Sequence, residues 1–203
     1  MMDEHNNQQY FIDYCVHPSY GGKMNIFTAD GGFDFSSDFN NQELMISKLL
    51  FAQMCFAVSM QKRGGSFVLK IFDCFHECTN DILYILSSLY GSVYVKKPLT
   101  SRVGNSEKYV VCKNFLLDND LMIYSFLKDA FYSSIYLHND ISRRFLKINI
   151  PLFFSSKIEE YNVIFGQQQI DNIHYTLSLI EKKTKSDKID NLIKNNILKC
   201  VQW

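Results

Sequence analysis

Lys70 is the residue that most strongly invites a chemical interpretation, because it interrupts the apolar run from Phe67 to Phe72. An ammonium group inside such a strand is costly to remove from water. One interpretation is a lysine near a strand end whose long side chain reaches solvent with its charged tip. The other is a general base that accepts a proton from a substrate. The periodicity of the sequence leaves both interpretations open.

Two acidic residues stand where they would orient Lys70. Asp30 follows a short β-rich run and precedes two glycines, and alone it would be a turn former. Glu107 comes just before another apolar run, and alone it would be a solvated loop carboxylate. Because ligands bind at the carboxyl ends of parallel strands in open α/β sheets, we expect Asp30, Lys70 and Glu107 to form one acid–lysine–acid cluster.

Strands and helices alternate along the first half of the chain. Short apolar or β-rich runs predict strands over residues 25–30, 66–72, 93–95 and 109–112. The run 66–72 is nearly continuous, which is typical of a strand buried on both faces of a sheet. The last run follows its predecessor closely enough to indicate an antiparallel or edge pairing. This order is typical of an α/β fold with a doubly wound sheet.

Helical spacing of apolar residues fills the intervals. The first helix is predicted to begin with a capping box of Asn40 and Glu43 and to end at Gly64-Gly65. A second begins near Thr79 and ends at Gly91. The chain after residue 115 is predicted to be a helical extension, with helices over about 121–135, from a Ser156–Glu159 cap to residue 180, and over 189–197.

The composition limits the classes of function. The 203 residues carry 21 basic and 21 acidic side chains, so bulk charge does not hold this chain to nucleic acid or membrane, although a local basic patch is compatible. Hydrophobic residues make up 47%, which is enough for a packed core. Because there is no run of eighteen apolar residues and the start is polar and acidic, we expect no membrane span, signal peptide or transit peptide.

The six cysteines are scattered rather than dense, which indicates a reducing compartment, the cytoplasm or nucleus. Cys74 and Cys78 suggest a metal site, but no second Cys/His pair of zinc type follows them, so we favour ordinary reduced thiols and predict no metal. The abundance of Asn, Ile and Lys is typical of an AT-rich genome.

Three stretches in order make the chain recognisable: Thr28–Gly32, Gly64–Lys70 and Lys97–Tyr109. They resemble the FtsJ-like (RrmJ-type) ribose 2′-O-methyltransferases, particularly the cap-specific branch of eukaryotes and large DNA viruses. The third stretch, K-P-x-x-S-R-x-x-N-S-E-x-Y, is long and specific, whereas Asp-Gly-Gly alone is weak. The resemblance covers about residues 25–115, and it favours the catalytic interpretation of Lys70.

The resemblance implies a Rossmann-like fold, S-adenosylmethionine as cofactor and a Lys-Asp-Lys-Glu tetrad. Carried over to this sequence, Asp30 would lie beside the methyl donor, Lys70 would take the proton of a ribose 2′-hydroxyl, and Glu107 would hold and polarise that lysine. The substrate would be the 5′ end of capped mRNA, and a virus-encoded enzyme acting in a viral factory or virion is one setting. Substrate RNA would contact side chains of the third stretch: Lys97, Ser101, Arg102, Asn105 and Ser106. An ion pair of Arg102 with Glu107 is the alternative for that arginine.

The resemblance also divides the chain into a lead-in loop at 1–24, a partial methyltransferase domain at 25–115 and a helical extension at 116–203. The family's first half needs more chain than the residues before Asp30 provide, and Lys23 is not a convincing first lysine of the tetrad. We therefore expect weak or absent S-adenosylmethionine binding by this chain alone. Alternatives are an inactive RNA-binding or assembly module whose C-terminal helices contact a partner protein, or a member of the rRNA-modifying branch.

Two further groups of side chains would serve RNA binding. The first is a basic edge formed by Lys62, Arg63, Lys96, Lys97 and Arg102, which is otherwise a solvated face. The second is a set of aromatic residues after the Asp-Gly-Gly turn, which would stack on bases or fill the core: Phe33, Phe35 and Phe39.

Overall fold

A computed structural model describes residues 23–32, 41–118, 125–126, 129, 144–181 and 186–202. Four strands and four helices span most of these residues. In chain order they are β1 Met24–Ala29, α1 Gln42–Met60, β2 Gln61–Ile71, α2 Glu77–Leu89, β3 Tyr90–Lys96, β4 Lys108–Phe115, α3 Leu152–Glu181 and α4 Ser186–Val201.

The strands form one sheet in the order β1-β2-β4-β3. Strand β1 is parallel to β2, whereas β4 is antiparallel to both of its neighbours. The predicted α/β class and antiparallel last strand are thus confirmed. Of the two predicted positions for β4, the structure shows the internal one, because the chain leaves β3, reverses direction and returns between β3 and β2.

Side chains alternate along β2 between a fully buried face and a half-buried face. Phe67, Leu69 and Ile71 are fully buried, while Val68 and Lys70 are only partly so. The predicted burial on both faces is therefore wrong for the described part of the chain. The apolar run arises because the second face also carries apolar residues, not because it is closed off from solvent.

Helices α1 and α2 contact each other and the sheet, and the buried side chains of all three form one core. Helix α1 is the one helix of the described residues that is long and apolar enough, at a mean hydropathy of 1.4, to cross a membrane. Half of that stretch is buried inside the fold. Its apolar composition is accounted for by side chains such as Ile46, Leu50 and Met54, which fill the core.

The junction between α1 and β2 differs from the prediction. Helix α1 ends at Met60 and the strand follows at once, so Gly64 and Gly65 lie in β2 rather than at the end of a helix. They occupy an irregularity in which the pairing advances from Met24–Gln61 to Ile26–Ser66. Gly64 has a φ of +80°, which favours glycine in such a bulge.

Gly65 is required by close contacts on every side. A Cβ there would lie 2.7 Å from Gln61 Nε2 and 2.8 Å from the carbonyl oxygens of Asn25 and Lys62. We expect Gly65→Ala to lower the free energy of unfolding by about 1–3 kcal/mol, because backbone atoms must move. Gly166→Ala is the matched control: nothing lies within 4 Å of its Cβ position inside α3, and alanine favours a helix, so it should stabilise by about 0.5–1 kcal/mol. Urea denaturation measures both, and equal effects would contradict the contact argument.

Gly91 also lies in a strand instead of ending a helix. Helix α2 stops at Leu89, and β3 begins at Tyr90. A Cβ on Gly91 would lie 2.7 Å from Asn114 Nδ2, on a residue of β4 that has a φ of 62°. The glycine therefore permits the close approach of two strands.

Glu43 connects α1 with α2 rather than capping its own helix. Its buried carboxylate accepts hydrogen bonds from the backbone N–H groups of Phe75 (3.0 Å) and His76 (2.9 Å). His76 is the residue that precedes α2, so the negative charge faces the positive end of that helix. The predicted capping box is wrong in this respect, and Asn40 lies outside the described residues.

Asp81 of α2 fixes the segment that leads into α3. Its fully buried carboxylate accepts hydrogen bonds from Arg144 Nη2 at 2.8 Å and from the Leu146 N–H at 2.9 Å. Arg144 also donates to the Ile148 carbonyl at 2.9 Å. The hydrogen bond to Asp81 raises the pKa of the Arg144 guanidinium. This buried ion pair ties residues 144–148 to the core.

The long and the final predicted C-terminal helices are confirmed as α3 and α4. Helix α3 begins at Leu152, not at the predicted Ser156–Glu159 cap, and the Pro151 carbonyl accepts hydrogen bonds from Phe154 and Ser155. Proline has no N–H to satisfy and a helix-compatible φ, so it suits this position. The helix predicted at 121–135 falls mostly outside the described residues, as do residues 1–22 of the lead-in.

Candidate active site

The register of the sheet brings Asp30, Lys70 and Tyr109 into one row. Ala29 pairs with Leu69, so Asp30, which follows β1, lies beside Lys70 of β2. Lys70 pairs with Tyr109 of β4, and Tyr109 pairs in turn with Lys96 of β3. This row crosses the sheet at the carboxyl ends of its parallel strands. Open α/β sheets place their chemistry at that edge.

Lys70 and Asp30 form the central ion pair of this row. Lys70 Nζ lies 2.5 Å from Asp30 Oδ1 and donates to the Asp30 carbonyl at 3.2 Å. The lysine side chain is 16% exposed and the aspartate side chain 69%, so the ammonium is sheltered whereas the carboxylate faces solvent. The Phe72 ring centroid lies 5.9 Å from Nζ. Lys70 thus does not extend freely into water, as the simple strand-end interpretation requires.

Glu107 joins the row through Tyr109. The Tyr109 hydroxyl donates to Glu107 Oε1 at 3.2 Å, and both side chains are half-buried. Burial raises the pKa of Tyr109, as do the charge of Glu107, the hydrogen bond to it and the charge of Asp30. Both acids therefore act on one hydroxyl that pairs in register with Lys70. Although both are described residues, Glu107 and Lys70 form no direct ion pair.

Tyr109 is the site residue that our set of catalytic candidates omitted. The signal was present in the sequence, because Tyr109 ends the third recognisable stretch two residues after Glu107. Residues two apart in an extended chain share a face. What the sequence did not contain was the pairing of that face with Lys70.

The loop between β3 and β4 is closed by Lys97. Its ammonium donates to the Asn105 carbonyl at 2.8 Å, to Asn105 Oδ1 at 3.0 Å and to the Glu107 carbonyl at 2.8 Å. Burial lowers the pKa of Lys97, and the charge of Lys108 lowers it further. All three donors of this lysine are thus used inside the loop, which fixes the backbone on which Glu107 stands.

The other loop residues are arranged by two backbone turns, from Ser101 N–H to the Pro98 carbonyl (3.0 Å) and from Asn105 N–H to the Arg102 carbonyl (3.3 Å). Arg102 is exposed and forms no ion pair with Glu107, both being described residues, so the alternative proposed for it is not found. Ser101 Oγ is buried and has no hydrogen-bond partner within the described chain. Ser106 is half-buried next to Asn105.

The predicted basic edge is split between the two ends of the sheet. Lys62 and Arg63 lie near the start of β2, and Arg63 pairs with Asp118 at 2.5 Å. Lys96 and Lys97 lie at the end of β3, roughly 20 Å away by strand length. Alternation along the chain does not reveal this separation, because β2 runs from one edge of the sheet to the other. The aromatic residues Phe33, Phe35 and Phe39 lie outside the described residues.

The cysteines of the predicted metal alternative are buried thiols. Burial raises the pKa of Cys74 to about 12, and burial also raises the pKa of Cys78. A thiol that stays protonated at neutral pH is a poor metal ligand and a poor nucleophile. Within the described residues, no three His, Cys, Asp or Glu side chains are grouped as a metal site would require.

The residues around Asp30 fit a positively charged methyl donor. Its carboxylate is exposed, and Gly31 and Gly32 follow without side chains. Gly31 packs against α1, where a Cβ would meet Gln53 Nε2 at 2.0 Å, and the nearest atom to a Cβ on Gly32 is Lys70 Nζ at 3.8 Å. A sulfonium beside Asp30 would therefore meet a negative charge and open space. An acid and a sheltered lysine at one rim are suited to proton transfer during attack on such a group.

Comparison with known proteins gives the same direction. A sequence model of the FtsJ-like methyltransferases matches residues 2–115. A cap-specific mRNA (nucleoside-2′-O-)-methyltransferase 1 of Trypanosoma brucei brucei is 31% identical over 170 residues, covering 82% of this chain and 45% of the relative. A protein of the same description from Dictyostelium discoideum is 36% identical over 164 residues, covering 80% of this chain and 21% of the relative.

Among solved structures, a putative ribosomal RNA methyltransferase from Plasmodium falciparum superposes with a TM-score of 0.44 at 22% identity, covering 58% of this chain and 59% of that chain. The chain spans less than half the length of the curated relatives it matches.

Proposed function

The chain belongs to the FtsJ-like methyltransferase family, and from this premise we propose that it acts in the ribose 2′-O-methylation of capped mRNA with S-adenosylmethionine as donor. The observation that carries the proposal is the Lys70–Asp30 ion pair at the carboxyl edge of the sheet, with Tyr109 and Glu107 in the adjacent register. The printed names of the relatives supply the substrate class.

Lys70 is proposed as the general base. A ribose 2′-hydroxyl is a weak nucleophile until a nearby group accepts its proton, and Lys70 in its uncharged form has the lone pair to do so. The proton moves to Nζ as the oxygen forms its bond to the methyl carbon, and the carbon–sulfur bond breaks. When bound, S-adenosylmethionine supplies this methyl group on a positively charged sulfur, which leaves as a neutral thioether.

Asp30 and Glu107 have different proposed tasks. Asp30 holds the Lys70 nitrogen with both its carboxylate and its carbonyl, and its exposed side would face the donor. Glu107 orients the Tyr109 hydroxyl beside Lys70 and is itself held by the Lys97 contact to its carbonyl. The exposed Arg102 guanidinium would meet RNA phosphate. These contacts fix the base within reach of a bound ribose.

We also propose a reducing location for this activity, the cytoplasm or the nucleus. The cysteines of the described residues are free thiols: Cys55, Cys74, Cys78, Cys112 and Cys200. Disulfides persist mainly in oxidising compartments, so free thiols support this proposal.

The choice of RNA tests the proposed function. The chain is incubated at millimolar S-adenosylmethionine, because we expect weak donor binding, with one short RNA in capped and uncapped form and with a ribosomal RNA fragment. Mass spectrometry of nuclease digests should find 2′-O-methylation near the 5′ end of the capped RNA, at least about tenfold above the uncapped RNA. Equal methylation of the ribosomal fragment would favour the rRNA-modifying branch. Binding of capped RNA without methylation would contradict catalysis and favour an RNA-binding module.

A further inference from the structure

Helix α3 lies across the edge of the sheet that carries the candidate site, although it is outside the part of the chain that the family model matches. Asn162 Nδ2 donates to the Cys74 carbonyl at 2.7 Å, just beyond the end of β2. Gln169 Nε2 donates to the Gly104 carbonyl at 3.3 Å, in the loop between β3 and β4. These two residues are about 10 Å apart along the helix, so α3 contacts both segments that border the site.

Phe165 lies between these two anchors and covers Lys108. Its ring centroid is 5.4 Å from Lys108 Nζ, which is also 3.5 Å from Asp73 Oδ1. Lys108 is buried, so its charge depends on these two neighbours. Lys108 directly follows Glu107 and pairs with Ile71 across the sheet. The contact of Phe165 therefore supports the backbone next to the acid of the site.

Little space separates α3 from the loop. The cavity between them is about 10 Å³, roughly the room for one water molecule, and a Cβ on Gly104 would lie 3.5 Å from Asn172 Oδ1. Residues of the loop and of the helix share its walls: Lys97, Asn105, Ser106, Phe165, Gln168 and Gln169. A displacement of the helix would therefore displace the loop.

We infer that α3 is a positioning element of the RNA site, with Gln169 and Phe165 holding the loop that presents Arg102 and Glu107. The part that concerns RNA rests on the proposed function. The part that concerns the loop rests on the contacts alone. On this inference the C-terminal helical region completes the substrate side of the site, and its loss would raise the KM for RNA before it altered the chemical step.

Hydrogen exchange of the full chain tests the inference, with mass spectrometry of the backbone amides of residues 99–107. Gln169→Ala should increase exchange there about threefold to tenfold, since it removes one hydrogen bond that holds the loop. Phe165→Leu, which keeps apolar volume, should act in the same direction. Gln167→Ala is the matched control, because Gln167 bonds only to Asp171 of its own helix within the described chain and is exposed. Equal exchange in Gln169→Ala and Gln167→Ala would overturn the positioning role.

A second measurement on the same proteins separates this inference from the proposed function. Fluorescence anisotropy with a short capped RNA should give about threefold weaker binding for Gln169→Ala than for Gln167→Ala. Faster loop exchange with unchanged RNA affinity would overturn the link between helix and substrate. If the unsubstituted chain binds no RNA, the proposed function fails, while the exchange result still decides whether α3 positions the loop.

Discussion

Replacing Lys70 with methionine is expected to lower the rate of methyl transfer to capped RNA by about 10³-fold, within the range that a lost general base removes. Methionine has nearly the length of lysine and fills the sheltered position between β1 and β4 without accepting a proton. The ion pair that is lost has an exposed partner in Asp30, so the free energy of unfolding should change by less than about 1 kcal/mol. Single-turnover rates at saturating RNA measure the effect on the chemical step.

Two further variants separate a base from a positive charge. Lys70→Arg keeps the charge but cannot release a proton near neutral pH, so it should be as inactive as Lys70→Met. Lys62→Met changes an exposed lysine of the same strand at the opposite edge of the sheet, and it should retain the unsubstituted rate. Substantial activity in Lys70→Arg would show that the site needs a cation and would refute the general-base role.

Arg144→Met is expected to lower the free energy of unfolding by about 3 kcal/mol, the largest effect on stability that we predict. It leaves the fully buried Asp81 carboxylate with only the Leu146 N–H as a hydrogen-bond donor among its described contacts. An uncompensated buried charge is costly, whereas a neutral group of the same shape is not. The double variant Asp81→Asn with Arg144→Met should therefore be more stable than Arg144→Met alone.

The Arg63–Asp118 pair provides the matched control. Its side chains are 62% and 77% exposed, and solvent screens such pairs strongly. Arg63→Met should cost less than about 1 kcal/mol in the same urea titration. If Arg63→Met and Arg144→Met were equally destabilising, burial of the Asp81 carboxylate would not be the cause. The comparison also reports on α3, because residues 144–148 lead directly into it.

Local patterns predicted the parts of the fold that depend on neighbouring residues. Alternating and helical spacings indicated every strand and the helices α1 to α4, because a side-chain period of two or of about 3.6 is written directly into the order of residues. The ends of elements were less predictable. Gly64-Gly65 is a plausible helix stop by its type, but it forms a bulge in β2 because strand β1 offers hydrogen bonds to the chain there.

The buried acids show the same limit for the site's supports. Glu43 has the spacing of a capping residue for its own helix, yet it binds the backbone of Phe75 and His76, 32 and 33 residues away in sequence. Asp81 has no distinctive local pattern, and its partner Arg144 is 63 residues away. The value of such contacts depends on which elements pack together, and neighbouring residues carry no information about that.

The sequence by itself determined the chemical identity of the candidate site: an aspartate before two glycines, a lysine in an apolar strand, and a long polar stretch ending in Glu107 and Tyr109. Only the tertiary structure decided that Lys70 meets Asp30 across 40 residues, that Tyr109 joins Glu107 to this row, and that Gln169 reaches a loop 65 residues earlier. The physical reason is that strand register and helix docking are set by hydrogen bonds and packing between distant segments. Residue types specify what a side chain can do, while these long-range contacts specify which side chains do it together.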